Sequence, residues 1–231
     1  MLAILLLLLF PLAFIPIIFV FIWIRNTEKY NRESWLSIIF TFLWGAAIAT
    51  SASFLLETVV SDHITSLLIL SVVIAPIVEE ISKPLALRFV KKEINEIEDG
   101  LIYGAVIGLG FAATENLIYG VRFWDQGLIV LFSLFYLRTV GSSLLHASAT
   151  ALTGYGYSSK LIHKRSFLSI LPFFLLAVVV HGLFNLFAFS AQTLNQIFGV
   201  VVAVLFAITL MTWIRKKIMF LDKKSIAIEV R

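Results

Sequence analysis

The sequence predicts an all-α fold, a polytopic transmembrane helix bundle of about seven spans with its N-terminus outside and its C-terminus cytoplasmic. Three observations lead there. Of the 231 residues, 60% are hydrophobic and 14% charged, whereas soluble domains carry about 25% charged residues. Apolar runs near the roughly 20 residues needed to cross a bilayer recur along nearly the whole chain. Finally, Lys and Arg fall in alternate connections between those runs. With a mean hydropathy of +1.00, no stretch remains for a soluble domain, so residues 1–231 read as one membrane domain, multi-pass in the cell membrane.

In chain order the spans lie near 2–24, 34–56, 66–87, 100–119, 128–156, 167–189 and 196–214. Barrel strands would be about 10 residues long with period-2 alternation, which these runs lack. The opening "MLAILLLLLFPLAFIPIIFVFIWIR" has no basic n-region and no small-residue cleavage site, and it is too long for an h-region. It is therefore expected to be a retained first span, not a signal peptide. The fourth span carries Gly104, Gly108 and Ala112 at four-residue spacing, a small-residue stripe for close helix packing. Fifteen of the 18 Lys and Arg residues lie in the connections after the first, third and fifth spans and in the tail, while the opposite connections hold only Arg122. That asymmetry sets the orientation. The net charge of +4 thus belongs to short loops, and no nucleic-acid partner is expected. The chain has no cysteine, which excludes disulfides, thiolate metal sites and cysteine nucleophiles. Any metal must use His, Asp or Glu.

Ionisable groups inside the spans are the chemical signal. They are Glu79, Glu80 and Lys83 in "APIVEEISKP", then Glu115, Arg138, His146 and His181, with Asn185 as a polar companion. Each buried charge costs about 2.5–3.5 kcal/mol on insertion scales, so the five Glu, Lys and Arg side chains must be paired or hydrated. Lys83 stands four residues from Glu79 and three from Glu80, within reach of either on one helical face. Pro76 and Pro84 bracket the motif and each removes a backbone donor, opening the helix locally. Arg138, Ser142 and His146 share a face, with Thr150 one turn on; His181 and Asn185 are one turn apart. His63 and His163 fall in connections and read as solvated. Residues on four helices can converge only in the bundle interior. Imidazole and carboxylate are Zn²⁺ ligand types, and three of them plus water make a hydrolytic site. The same set without metal can activate water by general base catalysis, and the residues leave both open.

These motifs resemble the PrsW family of intramembrane proteases. "EEISK" matches its EExxK motif, "EDGLIYGAVIGLGFAATEN" its glycine-rich block ending in Glu-Asn, and "HASATALTGYGY" and "HGLFN" its two histidine motifs. The likeness runs from about 70 to 190, within a motif-bearing core of about 66–190. The family is similar to the CAAX prenyl endopeptidases and their Abi relatives, with Glu115 standing where those have a histidine. The resemblance implies an intramembrane endopeptidase that hydrolyses a peptide bond in a membrane-anchored, single-pass protein, anti-sigma-factor-like in bacterial relatives, with the lipid bilayer as its surroundings. It makes Glu79, Glu80, Glu115, His146, His181 and Asn185 the catalytic candidates, with Lys83 and Arg138 supporting. Glu80 or Glu79 is then the general base, and His181 and Asn185 polarise the scissile carbonyl. His146 with Glu115 orients water or completes a zinc site whose ligands are His146, His181 and Glu115. The family is classed among metallopeptidases, while its CAAX-type relatives look like glutamate proteases that work without metal; both mechanisms are carried forward.

Other protease plans fit less well, since there is no HExxH and no aspartate inside the spans as drawn. A proton-coupled transporter also buries Glu, His and Lys, but would show duplicated halves or matching broken helices. A non-catalytic membrane scaffold would not need the complete chemical set.

Overall fold

The computed structural model describes residues 2–193 and 196–229. Every regular element among them is helical: α1 (Leu2–Arg25), α2 (Trp35–Leu43), α3 (Thr50–Ser61), α4 (Leu67–Ile69), α5 (Ala75–Ser82), α6 (Ile97–Arg122), α7 (Leu128–Val140), α8 (Ser142–Ile162), α9 (Leu171–Thr193) and α10 (Gln196–Glu229). Six helical runs are long and apolar enough to cross a membrane, at Ile4–Arg25, Trp35–Ser61, Ile97–Arg122, Leu128–Ile162, Phe167–Ser190 and Ile197–Lys224. The third expected span, carrying the paired glutamates, is a continuous but irregular helical run over 67–88.

Several boundaries differ from the sequence reading, each for a local reason. α2 and α3 are joined by π-helical turns, Trp44–Ala49, and α3 runs to Ser61, past the expected end at 56, which brings Glu57 into the span. The expected fifth span is two helices, α7 and α8, broken at Gly141 (φ −92°, ψ −79°). α6 begins at Ile97, where a capping box between Glu96 and Asp99 satisfies the first amides. α10 extends past 214 because charge ends a span without ending a helix. Its Asp222 carboxylate instead accepts the Lys29 backbone N–H at 3.1 Å. Arg231 of the basic tail lies outside the described residues.

α6 is the hub. In its most apolar stretch 78% of residues are buried, against 39% or less in the other five runs, and its neighbours include α1, α2 and above all α8. Glycine makes the α6–α8 contact possible. A Cβ on Gly104 would come within 2.5 Å of the Thr150 carbonyl oxygen, and one on Gly108 would strike the His146 carbonyl. The order of these contacts makes the helices antiparallel, and it brings His146 beside α6. The outer surface is apolar, with Ile129, Leu36 and Ile197 each more than three-quarters exposed, the surface of a protein whose solvent is lipid.

Candidate active site

The 67–88 run changes character around each proline. Residues Leu70–Ile74 are π-helical, Pro76 sits in the first turn of α5, and Lys83–Arg88 tightens to a 3-10 helix with Pro84 in its first turn. Pro76 has no N–H to offer, and the Ser71 carbonyl, five residues earlier, would be its π-helical partner. Asn185 replaces that donor: its Nδ2 donates to Ser71 O at 2.8 Å. Next to it on α9, Gly182 admits the Val72 carbonyl, 2.6 Å from where a Cβ would stand. The histidine helix α9 is thereby docked on the broken glutamate helix.

Lys83 is fully buried and central. Its Nζ donates to Glu79 Oε2 at 2.8 Å, Glu80 Oε1 at 3.0 Å and His146 Nδ1 at 3.0 Å, and it lies 3.9 Å over the Phe111 ring. An ammonium only donates, so His146 Nδ1 accepts, and its protonated Nε2 donates to Glu115 Oε2 at 2.8 Å. On α9, His181 Nδ1 donates to Glu80 Oε1 at 3.0 Å, and the Thr150 hydroxyl donates to Glu80 Oε2 at 3.1 Å. Each histidine is thus oriented by its own carboxylate, Glu115 for His146 and Glu80 for His181. Their remaining ring nitrogens both turn toward Glu79: His146 Nδ1 lies 3.6 Å and His181 Nε2 3.9 Å from Glu79 Oε2. The two rings are perpendicular, 4.9 Å apart.

Arg138 anchors the outer part. Its Nη2 lies 2.8 Å from Glu115 Oε2, its Nε donates to Asn116 Oδ1 at 2.8 Å, and its guanidinium stacks 3.8 Å over Tyr119. A cavity of about 600 Å³ adjoins these groups, lined by Glu57, Glu79, Glu115, Arg138, His146 and His181 among others. Glu79 keeps 9% of its side chain exposed there, while the Glu80 side chain has none. The neighbouring glutamates therefore do different things: Glu79 meets the cavity and Glu80 stands behind His181.

All eight residues singled out in the sequence lie in this one network or on the cavity wall. Their pairing differs from the zinc reading, however. The ligand atoms that come within 4.8 Å of one another belong to Glu79, His146 and His181, whereas Glu115 is bonded to the opposite nitrogen of His146. By type and proximity the trio fits a metal held by two imidazoles and a carboxylate, and the carboxylates behind both imidazoles are the usual outer support of such ligands. Lys83 meanwhile holds two of the three atoms. Asn185, expected to polarise a carbonyl, spends one amide hydrogen on Ser71. Glu57 escapes the sequence reading because the expected span ends one residue short of it, and Asn116 carries no signal there beyond closing the glycine-rich block. His63 and His163 are exposed.

A family model described as "PrsW family intramembrane metalloprotease" matches residues 33–214. Protease PrsW of Clostridioides difficile (strain 630) is 36% identical over 118 residues, 48% of this chain and 50% of that relative. Protease PrsW of Oceanobacillus iheyensis is 29% identical over 181 residues, 74% of this chain and 80% of the relative. The first match thus spans only half of that relative's length. No solved structure matches the chain.

Proposed function

This chain belongs to the PrsW family of intramembrane metalloproteases, and on that premise we propose that it hydrolyses a peptide bond in a membrane-anchored protein, at the wall of the cavity where Glu79, His146 and His181 meet. The observation that carries this reading is the pair of carboxylate-oriented histidines whose second nitrogens both face Glu79. Two fixed imidazoles beside a carboxylate on a cavity are what a hydrolytic centre needs. A peptide segment needs such room, since about 300–1,000 Å³ is typical of ligand sites. The substrate class proposed is a single-pass protein, anti-sigma-factor-like, and the relation to CAAX-type endopeptidases rests on the paired glutamates and the HxxxN motif.

Glu79, His146 and His181 are the residues that would hold a zinc ion, which when bound polarises a carbonyl and makes water more acidic. Glu80 and Glu115 hold the imidazole tautomers, Thr150 and Arg138 hold those carboxylates, and the apolar bundle excludes bulk water. A metal-free variant is favoured by one observation: the Lys83 ammonium already occupies Glu79 Oε2 and His146 Nδ1. There Glu79 accepts the proton of the attacking water, with Lys83 as its counter-charge. Reconstitution with a single-pass substrate tests the function, with metal content measured on the same sample. Wild type is expected to cleave and His181→Ala to be inactive; cleavage by both at equal rates overturns the site. Zinc at one per chain, lost in His181→Ala, supports the metal reading, and full activity in a metal-free sample overturns it.

A further inference from the structure

Away from the central site, a second set of carboxylates converges. Glu28 and Glu33 lie in the connection between α1 and α2, and Asp99 opens α6. They are 0%, 5% and 2% exposed, and one oxygen of each lies within 4.8 Å of those of the other two. Buried carboxylates normally have a cationic partner, yet among the described residues no ion pair involves these three. The nearby arginines do not supply one. Arg25 donates to the Glu33 main-chain carbonyl at 3.1 and 2.6 Å and stacks on Trp35, and Arg32 donates to the Glu28 main-chain carbonyl at 2.9 Å. They fix the loop backbone and leave its carboxylates bare.

Asp99 uses Oδ2 to accept the Asn95 and Glu96 amides at 2.6 and 3.0 Å. Its Oδ1, both Glu28 oxygens and both Glu33 oxygens are buried with no donor from the surrounding protein; the Glu28 and Glu33 carboxyls have only each other. An independent group points the same way. Tyr103, one turn along α6 from Asp99, has no exposed surface; its hydroxyl feels the charges of Glu33 and Asp99 and faces Ser37, with no partner at full hydrogen-bond geometry. A buried polar atom without a full partner costs stability, and six underserved oxygens in one region call for a common partner. The donors are all oxygen, with no nitrogen or sulfur, the set preferred by hard cations that take about six to eight oxygen ligands.

We propose that Glu28, Glu33 and Asp99, with the Tyr103 hydroxyl beside them, form a binding site for a hard divalent cation of the Ca²⁺, Mg²⁺ or Mn²⁺ class. The ion ties the α1–α2 connection to the start of α6, on the basic side of the bundle. None of the three acids lines the central cavity. Burial pushes Glu28 up to about 8, and burial with the adjacent Glu28 charge pushes Glu33 well above the usual carboxylate range, so protons are the ion's competitors.

The test uses the full chain in detergent micelles, stripped with EDTA and titrated with Mn²⁺, the bound ion being counted by electron paramagnetic resonance and Ca²⁺ used in competition. Wild type should bind one displaceable ion per chain with a rise in Tm, and Glu28→Gln/Glu33→Gln should weaken binding by at least about 100-fold. In EDTA that variant should melt no lower than wild type, since it discards charges without partners. His181→Ala should bind as wild type does. No ion bound by wild type, binding unaffected by the double substitution, or loss in His181→Ala would each overturn the proposal. Should the double variant not fold, Tyr103→Phe decides: binding roughly tenfold weaker supports the site, and unchanged binding overturns it.

Discussion

Glu79 and Glu80 are adjacent in sequence and about 100° apart around α5, and that rotation separates their work. Glu80 is enclosed by Lys83, Thr150 and His181, whereas Glu79 keeps one edge on the cavity. The same division holds further out, where Arg138 touches Glu115 and Asn116 but neither His146 nor His181. On the proposed mechanism it is a positioning residue, acting through Glu115 on the His146 tautomer. Arg138→Gln is therefore expected to lower cleavage by about 10–100-fold. Arg138→Lys should not restore it, because one ammonium cannot grip Glu115 and Asn116 together. A loss below twofold, measured with the reconstituted substrate, would remove Arg138 from the account.

At the scale of elements, the site depends on how closely α8 approaches α6. Gly108 lies against the His146 carbonyl and Gly104 against Thr150, so adding a methyl group pushes away both the histidine and the Glu80 donor. Gly108→Ala is expected to cost about 1–3 kcal/mol through overpacking and to reduce cleavage with it; an unchanged Tm would contradict that. This stripe was legible because small residues at four-residue spacing have one main use in a membrane. The reach of Lys83 to both glutamates was legible for the same reason, from fixed helical spacing. What spacing cannot supply is the rotation of each helix about its axis. That is set by packing, and it hid which glutamate meets the cavity and which nitrogen of His146 faces Glu115. The π-helical turns were equally hidden. Pro76 marked a missing donor, but only the fold shows Asn185 taking its place. Glu28 and Glu33 carried no signal, since acids in a polar loop look solvated until α6 covers them.

For the whole molecule, the seven helical runs among the described residues enclose the polar network around Glu79, and the orientation proposed from the basic connections places Ser61 outside and Lys164 inside. Both are exposed and the chain has no cysteine, so Ser61→Cys and Lys164→Cys provide single labels. An impermeant maleimide applied to intact cells should modify only the first, and the reverse pattern would invert the bundle. The fold brings four helices together so that one carboxylate, Glu79, faces the cavity between two oriented histidines. That claim holds whether Glu79 takes a proton from water or a place beside a metal. Its most direct test is turnover of a reconstituted single-pass substrate by Glu79→Gln and Glu80→Gln, each confirmed as folded by its Tm. We expect Glu79→Gln to cost about 10²–10⁴-fold and Glu80→Gln, acting through His181, about 10–100-fold. A greater loss in Glu80→Gln than in Glu79→Gln, or equal losses in both, would contradict it.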